Sequence, residues 1–199
     1  MIKLIIFDFD GVIEDNYELH YQMSTRKTTG LTREEHRKLF EGNIHIEREK
    51  FKDRDTGFDL IKHFNEEKNT QIINEQTKKV LIELSKKYKM GIVTSAIEQP
   101  INNYLANNKI SNVFSFVYGL ETNKIKVHKL IKALTEFNIK KEECLFVTDT
   151  LGDIKEANEA EIRTIAIDFG YHERERLEKG NPFMIISSLG ELLNIENNI

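Results

Sequence analysis

The sequence predicts an α/β chain: a parallel sheet covered by helices on both faces, in the doubly wound manner, with a helical insert after its first strand. Three observations predict it. Short apolar runs alternate with amphipathic stretches along most of the chain. One segment, residues 15–74, breaks that alternation and offers no strand. Acids, hydroxyls and a lysine cluster follow the apolar runs, where a parallel sheet would gather them at one edge. A length of 199 residues suits one sizeable core with a small appended domain.

Strands are expected at Leu4–Phe7, Met90–Val93, Phe114–Val117, Leu145–Val147, Thr164–Ile167 and Met184–Ile186. Each run is short, rich in Ile, Val or Phe, and bounded by polar residues. Helices are expected between them. Glu75–Tyr88 places Val80, Leu81 and Leu84 on one face, and Ile125–Phe137 does the same with Leu130, Ile131, Leu134 and Phe137. Ile154–Ala160 and Leu189–Leu193 are shorter candidates. Right-handed crossovers then follow, with ligands at the carboxyl ends of the strands.

The insert reads as polar and helical, over Tyr17–Thr28, Arg33–Phe40, Ile46–Phe51 and Leu60–Asn65. The expected core is therefore 1–14 with 75–199, and the expected cap is 15–74. Between Asp15 and Lys79 lie thirteen basic and thirteen acidic residues, so that segment is neutral and the rest of the chain carries the net charge of −4. Five of the eight arginines fall in the cap: Arg26, Arg33, Arg37, Arg48 and Arg54. Taken singly, each reads as a solvated surface charge.

Composition narrows the class. A net charge of −4 offers no basic field to nucleic acid. No apolar run approaches the ~20 residues that span a bilayer. The first residues run straight into a strand pattern without a signal-peptide layout, so a cytoplasmic protein is expected. The one cysteine, Cys144, lies in an apolar run and reads as a buried structural thiol. The sequence carries no mark of an oligomeric state.

Asp8 and Asp10 end the first strand. Strand alternation sends both carboxylates one way and Phe9 the other. Two adjacent anions are costly without a cation or a shared proton, so the pair suggests a Mg²⁺ site, an acid–base pair, or both. Gly11 then permits a sharp exit. The other strands end in kind: Thr94 and Ser95; Tyr118-Gly119 with the basic cluster Lys124, Lys126 and Lys129; and Thr148 and Asp149 with Asp153 beyond. Alone, Thr94 reads as a strand-end hydroxyl, Lys124 as a helix-start lysine, and Asp153 as a helix cap with Glu156 behind it. Together they suit a phosphate and a divalent cation. Carboxylates hold Mg²⁺, lysine and hydroxyls hold phosphoryl oxygens, one Asp attacks phosphorus, and a second acid protonates the leaving oxygen.

The four segments, in order, resemble the motifs of the haloacid dehalogenase superfamily. Asp8-Phe9-Asp10-Gly11-Val12 resembles the first and Ile92-Val93-Thr94-Ser95 the second. Lys124 resembles the third-motif lysine, chosen over Lys126 by its spacing to Asp149. Val147-Thr148-Asp149-Thr150-Leu151-Gly152-Asp153 resembles the fourth. The likeness spans the whole chain and is to the phosphoglycolate-phosphatase-like branch with a small helical cap. It implies a Rossmann-like doubly wound core and a Mg²⁺-dependent phosphatase acting on a small phosphorylated metabolite, with no nucleic-acid or membrane partner. Asp8 would be the nucleophile and a metal ligand. Asp10 would be the general acid/base, with its carbonyl on the metal. Asp149 would bind the metal and Asp153 would support it, while Thr94, Ser95 and Lys124 would bind the substrate. A sugar-phosphate mutase on the same core is the alternative. A receiver-like signalling domain or a non-catalytic phospho-ligand binder is the alternative outside enzymes.

Overall fold

A computed structural model describes residues 1–68 and 70–198. Residues 69 and 199, within the expected cap and core ranges, lie outside the described residues. Six strands form one sheet: β1 (Leu4–Phe7), β2 (Lys89–Val93), β3 (Val117–Tyr118), β4 (Cys144–Thr148), β5 (Arg163–Ile167) and β6 (Met184–Ile186). Their spatial order is β3-β2-β1-β4-β5-β6, and every neighbouring pair is parallel. The chain builds outward from β1 to β3, then returns to lay β4 on the other side of β1. The strand order thus reverses at β1 and β4. A crevice opens beyond the carboxyl ends at such a point, and ligands of open α/β sheets bind there.

Alternation along the strands supplies two cores. Ile5, Phe7, Leu145 and Val147 face α5 (Glu75–Ser85) and α6 (Glu98–Asn107), joined by Leu189, Leu192 and Ile195 of a closing 3₁₀ segment, Leu189–Asn198. Leu4, Ile6, Cys144 and Phe146 face α7 (Lys126–Glu136) and α8 (Leu151–Glu159). Both faces of β1 and β4 are buried, which is why their sequences are continuous apolar runs rather than alternating ones. Cys144 is buried and free, as its neighbours suggest, and burial pushes its thiol up to about 12.

Between β1 and α5 lie α1 (Tyr17–Lys27), α2 (Arg33–Lys38), α3 (Ile44–Glu47), a 3₁₀ segment (Arg48–Arg54) and α4 (Leu60–Lys68). α2 starts in a capping box formed by Thr32 and Glu35. This helical segment lies against the carboxyl edge of the sheet. Gly152 N–H donates to the Phe40 carbonyl at 2.8 Å, and Lys155 Nζ donates to the Glu41 carbonyl at 2.9 Å. Tyr17, His20, His36, Phe40 and Tyr171 pack edge to face or tilted across the same junction. Among the described residues no helix is long and apolar enough to cross a membrane.

The third strand and α6 differ from expectation, a helix at Arg174–Glu178 falls in no expected segment, and the expected helix at Leu189–Leu193 is part of the 3₁₀ segment. The third strand is Val117–Tyr118 rather than Phe114–Val117; ladder bonds begin only at Ser115 N–H to the Met90 carbonyl. Phe116 packs over Gly91, where an added Cβ would fall 2.1 Å from its ring. α6 has no counterpart in the sequence expectations, because Pro100 and several asparagines dilute its apolar face. Pro100 sits in the first turn, where a missing N–H is harmless, and Ile101, Tyr104 and Leu105 still reach the core.

Candidate active site

Asp8 follows β1 directly, and its N–H continues the ladder to the Val147 carbonyl at 2.8 Å. The residue is buried at 6% exposure. Phe9 N–H donates to Oδ1 at 2.7 Å, and Lys126 Nζ donates to Oδ2 at 2.7 Å. The same ammonium donates to Asp153 Oδ2 at 2.6 Å, which also accepts from Thr148 Oγ1 at 2.6 Å. The bridging lysine is thus Lys126, the first residue of α7, and not Lys124. Lys124 is exposed on the preceding loop, and its carbonyl accepts from Asn43 Nδ2 at 3.0 Å. The buried lysine lies two positions later than the spacing to Asp149 suggests, and Ile125 provides no side-chain cap to mark the helix start.

Burial sets the electrostatics. It raises the Asp8 carboxyl well above the usual range, against the pull of Lys126. Burial also opposes ionisation of Asp153, but Lys126 and the hydrogen bonds around it prevail and hold that group below its ordinary value. Burial alone would lower the Lys126 ammonium; Asp153 and Asp8 outweigh it and raise it.

Asp149 follows β4 and is fully buried. Burial pushes its carboxyl up to about 8, against the Tyr171 N–H that donates to Oδ2 at 2.7 Å. Its Oδ1 is buried with no hydrogen-bond partner. Two glycines make room for it. Gly11, at φ +79°, is where a Cβ would lie 2.0 Å from Asp149 Oδ2, and a Cβ on Gly170 would lie 2.4 Å from the same atom. Asp153 does not cap α8 as its sequence position suggests. The cap is Thr150, whose Oγ1 accepts from Asp153 N–H at 3.3 Å, leaving the Asp153 carboxylate free to face Lys126.

Asp10 lies with Asp8, Thr94, Ser95, Lys126 and Asp153 around one cavity of about 50 Å³. Its Oδ1 accepts from Asn16 Nδ2 and from Lys68 Nζ, both at 2.6 Å. Thr94 ends β2, and its Oγ1 accepts from Ala96 N–H at 3.1 Å. Lys129, fully buried, donates to the Thr94 and Gly119 carbonyls and so ties the tips of β2 and β3 together. Burial and the nearby Lys126 lower its ammonium to about 8.

Sequence reasoning missed Asn16 and Lys68, and it named Thr148 at a strand end without giving it a role. Thr148 lies inside a quoted motif, but its contact with Asp153 depends on the turn between them. Lys68 is one of thirteen basic residues in a polar segment, and no pattern sets it apart. Only the fold shows that it is 1% exposed, lies over the Phe9 and Phe64 rings, and reaches Asp10.

The donor set fits Mg²⁺. Asp8 and Asp153 share the one Lys126 ammonium, the buried Asp149 lies close enough to raise the Asp8 carboxyl further, and Asp149 Oδ1 lacks a partner, so a cation is called for. No three His, Cys, Asp or Glu side chains converge on one point among the described residues. Asp8, Asp149 and the Asp10 main chain would supply few but hard oxygen donors, which suits an ion that keeps several waters.

Buried acids gathered where a parallel sheet reverses its order make the layout of an α/β enzyme. Residues 5–167 match the haloacid dehalogenase-like hydrolases, and the chain belongs to that family. It is 26% identical over 214 residues to the pyrophosphatase PpaX of Bacillus cereus (strain G9842), covering 100% of this chain and 98% of that protein. It is 32% identical over 123 residues to the phosphoglycolate phosphatase of Photorhabdus laumondii, covering 60% of this chain and 53% of that protein. Its fold matches that of a predicted phosphatase from Clostridium acetobutylicum with a TM-score of 0.80, at 16% identity over 100% of both chains.

Proposed function

We propose that this hydrolase is a Mg²⁺-dependent phosphatase of small phosphomonoesters that works through an aspartyl-phosphate on Asp8. The observation that carries the reading is Asp8 at the strand tip, held by Lys126, with Asp10 on the same cavity and Asp149 Oδ1 unpartnered beside it. The names of the relatives, a pyrophosphatase and a phosphoglycolate phosphatase, support phosphoryl chemistry.

Asp8 Oδ attacks phosphorus, and the bond from phosphorus to the leaving oxygen breaks. Asp10 gives its proton to that oxygen. Water then attacks phosphorus, Asp10 takes its proton, and the acyl-phosphate bond breaks to restore the Asp8 carboxylate. Lys126 fixes the nucleophile and neutralises charge in a water-poor cavity, while Thr94 and Ser95 line the phosphoryl position. Mg²⁺ bound by Asp8, Asp149 and the Asp10 carbonyl would screen repulsion between the phosphate and the carboxylates. Residues 15–74 serve as the cap: Lys68 brings its ammonium to Asp10, and the covering helices keep bulk water from the intermediate.

The test is phosphate release from p-nitrophenyl phosphate by the wild type, with Mg²⁺ or with EDTA, and by Asp8→Asn. Turnover is expected only for the wild type with Mg²⁺. Activity of Asp8→Asn near that of the wild type would refute the nucleophile. A requirement for glucose 1,6-bisphosphate, with no net phosphate release, would mark a mutase instead.

A further inference from the structure

A second cavity of about 90 Å³ adjoins the phosphoryl site and shares Asp10, Ser95 and Tyr171 with it. This is where the leaving group of a substrate attacked by Asp8 would lie. Its walls are apolar, formed mainly by Phe40, Ile44, Leu60, Ile61, Phe64 and Leu120.

One cation breaks that lining. Arg48 faces the cavity, and among the described residues no carboxylate pairs with it. Its described hydrogen bond runs from Nη2 to His20 Nε2 at 3.0 Å. Arginine only donates, so His20 Nε2 accepts and Nδ1 carries the proton toward His36 Nε2, 2.8 Å away. Burial keeps both imidazoles well below their ordinary range, hence neutral. A neutral ring therefore orients the guanidinium without cancelling its charge. His45 lines the same cavity and keeps a buried Nε2 without a partner.

This lining does not suit inorganic pyrophosphate, whose leaving group is itself a multiply charged phosphate. Each extra charge against apolar walls needs its own partner. It is equally ill-matched to phosphoglycolate, which brings a single methylene to the apolar walls. A lone guanidinium fits one planar, singly charged carboxylate.

Resting on the phosphatase reading, we propose that the substrate is a phosphate ester of a hydroxy acid with an extended apolar body: the phosphoryl group at Asp8, the hydrocarbon between Phe40, Leu60 and Phe64, and the carboxylate on Arg48. The test measures kcat/KM with Mg²⁺ for phosphoglycolate, 4-phosphooxybutanoate, 6-phosphooxyhexanoate, hexyl phosphate, hexane-1,6-diol bisphosphate and pyrophosphate. Calorimetric binding of the same compounds to Asp8→Asn gives a second ranking independent of turnover.

Each methylene buried should raise kcat/KM by about fourfold, so 6-phosphooxyhexanoate should exceed phosphoglycolate by well over tenfold. It should exceed hexyl phosphate by about 10- to 100-fold, the worth of a charged hydrogen bond, and Arg48→Met should reduce that ratio to near one. Should Arg48→Met not fold, Arg48→Lys keeps the charge but loses the planar pairing, and should shrink the ratio. The inference is overturned if pyrophosphate, phosphoglycolate or the bisphosphate is turned over best, or if the acid-over-alkyl ratio survives in both variants. Turnover of none of these, nor of p-nitrophenyl phosphate, would overturn the phosphatase reading and this inference together.

Discussion

Removing the Lys126 ammonium, as in Lys126→Met, tests the electrostatic centre of the site. Lys126 is 2% exposed and donates to Asp8 at 2.7 Å and to Asp153 at 2.6 Å. Its loss leaves two buried carboxylates without their cation, and breaking a buried pair from one side costs about 3–5 kcal/mol. In EDTA, urea unfolding at pH 7 should show a loss of that size. Lys124→Met, on the exposed loop, should stay within about 0.5 kcal/mol of the wild type. Asp153→Asn combined with Lys126→Met removes one of the two orphaned charges, so the double variant should be less destabilised than the sum of the single changes. Activity should separate the two lysines further, with Lys126→Met losing about 10²–10³ in kcat, as when one charge-stabilising donor is removed. A larger loss of stability or kcat in Lys124→Met than in Lys126→Met would refute this assignment of the phosphate-side lysine.

Three further outcomes follow from the same geometry. His36 and His172 are buried, and burial lowers them to about 3 and about 4. His172 accepts from Leu151 N–H at Nδ1 and donates from Nε2 to the Arg37 carbonyl, so it has no room for a second proton. Their folded values lie below the unfolded value of about 6.5, so their contribution to stability should fall as pH drops from about 6.5 toward 4, while the raised Asp8 and Asp149 carboxyls contribute in the opposite sense. At pH 5 each costs about 2 kcal/mol, so between pH 7 and pH 5 the urea stability of His172→Gln should gain about that much relative to the wild type. Mg²⁺ should raise Tm in the wild type, by the equivalent of about 2.7 kcal/mol at one hundred times its Kd, and Asp149→Ala should weaken that response more than Asp153→Ala. Gly152→Ala would place a Cβ 2.5 Å from the Gly42 carbonyl and 2.8 Å from the Phe40 carbonyl, so it should displace residues 40–43 and reduce kcat/KM more than it lowers Tm.

The core was legible because its signals are local. Continuous apolar runs mark strands buried on both faces, and each strand end carries its chemistry in the next one or two residues. Asp8, Asp10, Thr94 and Asp149 therefore fall where strand periodicity places them. Lys126 escaped because a helix start without a capping side chain leaves a two-residue ambiguity, and that shift decides which ammonium is buried. α6 escaped because its buried residues are interleaved with asparagines. The roles of Lys68, Arg48, His20 and His36 are set by tertiary contact alone. Their helices are short and polar, and the partners that give them meaning lie on other elements.

This division has a physical cause. The phosphoryl end of the site is built from strand tips that the sheet ladder fixes in register, so few sequences can build it and each carries recognisable marks. The other end is built by helices seated on that edge through a main-chain bond at Gly152 and a shared aromatic cluster. Many sequences can supply those contacts, so the segment is free to change the cavity it covers. Lys68 joins the two ends. It comes from the covering helices, Asp10 comes from the strand, and their 2.6 Å contact exists only while the two are together. If Asp10 is the acid/base group as proposed, its electrostatic setting depends on the same covering helices that shield Asp8 from water. On the proposed mechanism an open site that loses the Lys68 contact would lack both the shield and the correctly held acid, so departure of the leaving group and hydrolysis of the aspartyl-phosphate would both belong to the closed arrangement.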